Sequence, residues 1–158
     1  MKDLLLSPHF KLSEFERSAT ATKLGIDNSV PSKYIPALQQ LCKEILEPLR
    51  EFAGQPVIIS SGYRCPQLNI KVGGVYSSQH TLGEACDIRI PVYDFVNEQG
   101  QRFTNTDILD RWFTWIMNNC DYDQLILEHS HGEYWIHVSC RANKRKNRHQ
   151  VIHFLQKK

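Results

Sequence analysis

Two residues able to ligate a metal, His80 and Asp87, stand seven positions apart in YSSQHTLGEACDIRI, residues 76–90. Alone, the pair is weak evidence of chemistry, because two polar residues near a turn fit the same description. A third candidate, His137, sits in YWIHVS. Strand alternation places Trp135, His137 and Ser139 on one face and Ile136 and Val138 on the other. A histidine on the polar face of a buried strand needs a partner, either a hydrogen bond or a metal ion. Two imidazoles and one carboxylate are a usual protein ligand set for a catalytic zinc, leaving a fourth position for water. Hydrolysis there also needs a carboxylate to take the water's proton and pass it to the leaving amine. Glu128, ending YDQLILE, and Glu133, opening EYWIHVSC, could each reach a metal held by His137.

The elements that must position these residues follow an α+β order, with helices first and then a small, mainly antiparallel sheet. LSEFERSATATKLGI offers Ser13 as an N-cap with Glu16 three residues on, a capping-box pattern. In VPSKYIPALQQLCKEILEPLREFA, the residues Leu38, Leu41, Ile45, Leu49 and Phe52 form one apolar helical stripe, and Pro48 predicts a kink or break. PVIISSGYR is a β-branched run ending in a turn at Gly62, and CPQLNIKVGG is a short helix stopped by Gly73 and Gly74. EACDIRIPV is a second strand, and NTDILDRWFTWIMNNC an amphipathic helix starting near Thr106, with Trp112, Phe113 and Trp115 as packing residues. YDQLILE and EYWIHVSC are two strands joined by HSHG as a hairpin loop, which would carry His129 and His131.

At 158 residues, with 41% hydrophobic and 23% charged side chains, the chain suits one soluble domain, residues 1–158, rather than a disordered segment. No apolar run approaches the roughly 20 residues that span a bilayer, so no membrane partner is expected. The start MKDLLLSPHF is too short for a signal-peptide core, which implies synthesis in the cytoplasm. Five cysteines without a CxxC are expected to be reduced and packed as small hydrophobes. Residues 141–158 hold seven of the 19 lysines and arginines and no acid, forming a basic C-terminal segment. Such a segment suits an anionic polymer or a solvated face. It lacks the interleaved aromatics of single-strand binders, so no nucleic-acid partner is expected.

Taken together, SSGYRCPQLNIKVGGVYSSQHTLGEACDI, DQLILE and YWIHVS resemble the zinc D-Ala-D-Ala carboxypeptidase family. That family includes bacterial wall-trimming peptidases and phage peptidoglycan endopeptidases, and shares its zinc fold with the hedgehog signalling domain. The pattern SGYR…N…VGG…S-x-H-x6-D…W-x-H is matched in order, over about residues 10–150. LSEFERSATATKLGIDNSVP and LEPLREFAGQPVIISSGYR are similar to the phage-type subgroup, and the "NR" and apolar residue after the last strand recur there too.

The resemblance implies a hedgehog/DD-peptidase-like fold and one zinc ion held by His80, Asp87 and His137. It puts Arg64 beside the substrate and the reacting groups, with Ser78 toward substrate or the ligands and Trp135 as a pocket wall. Gly73, Gly74 and Gly83 are backbone positions. Many wall carboxypeptidases carry the base three residues before the last histidine, where this chain has Tyr134. In the phage-type arrangement the base ends the preceding strand, which favours Glu128 over Glu133. The expected function is zinc-dependent hydrolysis of peptidoglycan stem peptides, as a carboxypeptidase or an endolysin-type endopeptidase. The alternative is a non-catalytic zinc module that binds cell wall or belongs to a phage particle. A wall substrate then requires release by lysis or carriage in such a particle.

Overall fold

Strands β1 (Leu5–Ser7) and β2 (Phe10–Lys11) form a small antiparallel hairpin ahead of α1 (Leu12–Glu16) and α2 (Ala19–Leu24). The computed structural model describes residues 2–90 and 95–157. Lys11, not Ser13, heads α1: its backbone N–H donates to Glu14 Oε2 at 2.7 Å. Ser13 lies inside the helix and its hydroxyl donates to Asp3, an acid ten residues earlier that the local pattern does not announce. Ser18 caps α2, its Oγ accepting from Ala21 N at 3.2 Å.

Residues 32–53 form one helical run: a 3-10 turn, α3 (Ile35–Leu41), a π turn at Cys42–Leu46, and α4 (Glu47–Ala53). Pro48 does not break it. The wider π turn, in which Glu47 N–H reaches back five residues to the Cys42 carbonyl, carries the helix past a residue without a donor. Leu38, Leu41, Ile45 and Leu49 are fully buried, as the stripe predicts. Phe52, at the exposed end, stacks on Trp115 with ring centroids 4.9 Å apart.

Next come β3 (Ile58–Ser61), α5 (Pro66–Lys71), β4 (Ala85–Arg89), the short pair β5 (Phe95–Val96) and β6 (Arg102–Phe103), and α6 (Asn105–Asn119). The chain closes with β7 (Gln124–Ser130), β8 (Glu133–Ser139) and β9 (Gln150–Gln156). Of the second strand's expected extent, Pro91 and Val92 lie outside the described residues. Helix α6 starts one residue before the expected Thr106, because Thr104 and Asp107 form the capping box. The β7–β8 turn is only His131–Gly132, with φ +50° and +80°, the dihedral signs of a two-residue hairpin turn. His129 therefore belongs to β7, opposite Tyr134, and not to the loop.

The five-stranded sheet has the order β3-β4-β8-β7-β9. Its first three pairings are antiparallel, but β9 pairs parallel to β7, so the α+β fold carries a mixed sheet. One sheet face is apolar: Ile59, Cys86, Ile88, Leu125, Leu127, Ile136 and Val138 pack with the stripe of α3–α4 and with Leu109, Trp112, Phe113 and Ile116 of α6. The opposite face carries the polar residues of the same strands. All five cysteines are free, and burial pushes the Cys42 thiol up to about 12, so it is inert at neutral pH. Among the described residues no helix is long and apolar enough to cross a membrane.

The basic segment turns out to be tied into the fold. Arg148 makes a two-pronged contact with the fully buried Asp123, with Nη2–Oδ2 at 2.9 Å and Nε–Oδ1 at 3.1 Å. Arg141 Nε lies 3.2 Å from the same carboxylate. Arg145 pairs with the buried Glu84, whose Oε2 also accepts from Ala142 N at 3.3 Å. These arginines answer acids that would otherwise be buried without compensation.

Burial would raise the Asp123 carboxyl, but hydrogen bonds from Arg148 and the charges of Arg148 and Arg141 outweigh it and hold it below the usual value. A depressed folded value means its stabilisation is present above the unfolded value near 4 and is lost as pH falls through the folded one. Asp123→Asn should cost about 2 kcal/mol at pH 7. The cost should shrink toward zero as the pH falls below about 4, which thermal melts of both proteins across pH will check.

Candidate metal centre

Asp87 of β4 and His137 of β8 are paired across the antiparallel ladder, and Ser61 of β3 stands opposite Asp87 on the other side. Directly opposed residues project to the same face, so the register itself brings imidazole and carboxylate together. His137 Nδ1 lies 3.1 Å from Asp87 Oδ1. His80 comes from a 3-10 turn at Gln79–Leu82, capped by Ser78, whose Oγ accepts from His80 N at 3.3 Å. Its Nε2 is 3.4 Å from Asp87 Oδ1, and the two imidazole centroids are 5.2 Å apart. One donor atom from each of His80, Asp87 and His137 falls within 4.8 Å of the others, and all three residues are buried or nearly so.

The loop after β3 fixes His80. Gly62 lies against α1 so closely that a Cβ there would stand 2.5 Å from Phe15 Cα, and only glycine permits the approach. The Gly62 carbonyl lies 2.7 Å from His80 Nδ1. A carbonyl only accepts, so Nδ1 carries the proton and Nε2 presents its lone pair to Asp87.

Two acceptors then face each other at 3.4 Å, an arrangement that calls for a cation between them. A proton on His80 is disfavoured, because burial pulls this imidazole below its ordinary value against the attraction of Asp87. A divalent ion fits this donor set, and two histidines with one carboxylate leave an open position.

Arg64 contributes Nη2 at 3.4 Å from Asp87 Oδ2 and donates from Nε to Ser61 Oγ at 3.1 Å. Sequence reasoning missed Asn28, which clamps this loop. Its Nδ2 donates to the carbonyls of Glu16 and Tyr63 at 2.9 Å each, and its Oδ1 accepts from Cys65 N at 2.8 Å. A single asparagine in a polar stretch carries no local sign of being buried. Gly74 lies so close to Asn69 that a Cβ there would meet its amide oxygen at 2.0 Å, so this backbone position admits only glycine.

Glu128 stands opposite Trp135, two steps along the ladder from the Ile126–His137 pair, which makes Glu128 and His137 diagonal neighbours on one face. Such neighbours lie roughly 7–8 Å apart. Glu133 is exposed at the hairpin mouth, four residues and thus roughly 13 Å along β8 from His137. Glu128 is only 4% exposed, and its Oε2 has no hydrogen-bond partner among the described residues, although Lys157 Nζ lies 3.4 Å away. Burial first, and the charge of Asp87 second, raise the Glu128 carboxyl above its ordinary value. A cavity of about 350 Å³ borders Asp87, with Ser60, Arg89, Thr106, Glu133 and Trp135 among its walls.

A buried donor trio with a neighbouring buried glutamate has the composition of a hydrolytic metal centre. The family model described as peptidase M15 matches residues 8–106, more than half of the chain. The chain belongs to the peptidase M15 family. Peptidases of this family are zinc-dependent, and the His80–Asp87–His137 cluster gives such an ion a place. The matched range contains His80 and Asp87, while Glu128 and His137 lie beyond it. No curated protein matches the chain significantly.

Proposed function

We propose that this M15 peptidase hydrolyses peptide bonds in peptidoglycan stem peptides, as the phage-type subgroup it resembles does. His80, Asp87 and His137 would hold one zinc ion, with Glu128 as general base and acid. The observation that carries the reading is the lone pair of His80 Nε2 facing Asp87 beside a buried, under-partnered Glu128. Bound zinc supplies Lewis-acid polarisation of a carbonyl and a lowered pKa for water.

The chain's own residues do the rest. Glu128 takes the water's proton and later delivers it to the leaving amine, a role helped by a carboxyl raised toward neutrality. Arg64, fixed by Ser61 and Asp87, orients a substrate carboxylate or the scissile group. Trp135 walls the cavity, and Ser78 holds the turn that presents His80. The protein would be made in the cytoplasm and reach the wall on lysis or within a phage particle.

Incubation of the zinc-loaded protein with purified peptidoglycan, with and without chelator, tests the proposal by mass spectrometry of the released fragments. Chelator-sensitive release of D-alanine indicates a carboxypeptidase, and release of larger stem fragments an endopeptidase. Chelator-insensitive wall binding without any cleavage would replace the enzyme by a binding module.

A further inference from the structure

The parallel strand β9 brings a cation to the carboxylate that moves protons. It runs in simple register with β7 through Gln124–Gln150, Leu125–Val151 and Ile126–Ile152. Beyond Ile126 the register shifts, so that two steps along β7 are matched by three along β9, and Leu155 stands opposite Glu128. One extra residue reverses which side chains meet which face, because side chains alternate along a strand. Lys157 is thereby turned to the polar face, with its backbone N–H held by the His129 carbonyl at 2.9 Å. Its ammonium comes within 3.4 Å of Glu128 Oε2, from a side chain 55% exposed to a carboxylate only 5% exposed. That oxygen is buried and has no hydrogen-bond partner among the described residues, so Lys157 is placed as its counter-charge at the solvent rim.

We propose that Lys157 is a positioning residue for Glu128. Its ammonium restrains Oε2 and leaves Oε1 to exchange protons with water and the leaving amine. The inference rests on the reading of Glu128 as proton shuttle. Neither residue lies in the range matched by the family model.

The test compares wild type, Lys157→Met and Lys157→Arg for zinc content, melting temperature, and kcat and KM on a defined stem peptide. Positioning predicts that Lys157→Met keeps its zinc and its melting temperature, holds KM within about twofold and loses kcat roughly ten- to hundredfold. Lys157→Arg, which keeps the charge, should recover most of the loss. An unchanged kcat in Lys157→Met overturns the proposal. So does a kcat loss that tracks a fallen melting temperature and is not restored by arginine, since that describes a strand anchor. If wild type cleaves no stem peptide, the functional reading fails and takes this inference with it. If wild type cleaves, Glu128→Ala does not, and Lys157→Met matches wild type, only the inference fails.

Discussion

Glu128→Ala should bind zinc as wild type does and lose hydrolysis by roughly 10²–10⁴-fold, the usual contribution of a positioned acid–base group. Glu128 sits outside the donor trio, diagonal to His137 across the β7–β8 ladder, so its removal leaves the ligands intact. Stability should hold as well, because the lost carboxylate is buried and, among the described residues, its Oε2 makes no hydrogen bond and its one ion pair is to the half-exposed Lys157. Metal analysis beside kcat on a stem peptide checks both halves of the expectation. Glu133→Ala should remain close to wild type, since Glu133 is exposed and a further turn of the pleat away. Full activity in Glu128→Ala together with loss in Glu133→Ala would move the base to Glu133.

His137→Ala should abolish both zinc binding and activity. On the proposed assignment it removes one of three protein ligands, and the remaining pair, His80 and Asp87, cannot close a site of this kind. The folded wild type should gain thermal stability from zinc by linkage, about 2.7 kcal/mol at a hundredfold excess over Kd. His137→Ala should show no such gain, and its melting curve should be the same with zinc and with chelator. Zinc still bound at one ion per chain in the variant would remove His137 from the ligand set. The two variants thus separate the groups proposed to hold the ion from the group proposed to move protons.

Much of this centre was legible in the chain. Alternation in YWIHVS put His137 and Trp135 on one face, and the ladder places both there, opposite Ile126 and Glu128. The apolar stripe of residues 38–49 and the packing role of Trp112 and Phe113 also hold. The errors share a cause. Ser13 fits a capping box, yet Asp3 claims its hydroxyl. Pro48 predicts a kink or a break, and the helix does not break there but continues through a π turn just before the proline. The terminal segment suited an anionic polymer or a solvated face, yet buried Asp123 and Glu84 engage three of its arginines, and QVIHFLQ joins the sheet.

Sequence alone determined which side chains each strand and helix shows to each face, because those periods are set by local backbone geometry. It offered Asp87, His137, Glu128 and Glu133 as candidates, and the family resemblance, not periodicity, grouped His80 with Asp87 and His137 as proposed ligands. Only the tertiary structure decided which strands lie side by side and in what register. It set Asp87 against His137, turned the His80 lone pair inward through the Gly62 carbonyl, and carried Lys157 to Glu128. Such neighbours are chosen by burial of a common core among segments 18 to 50 residues apart in the chain, from Gly62 and His80 to Asp87 and His137. No local pattern encodes that choice.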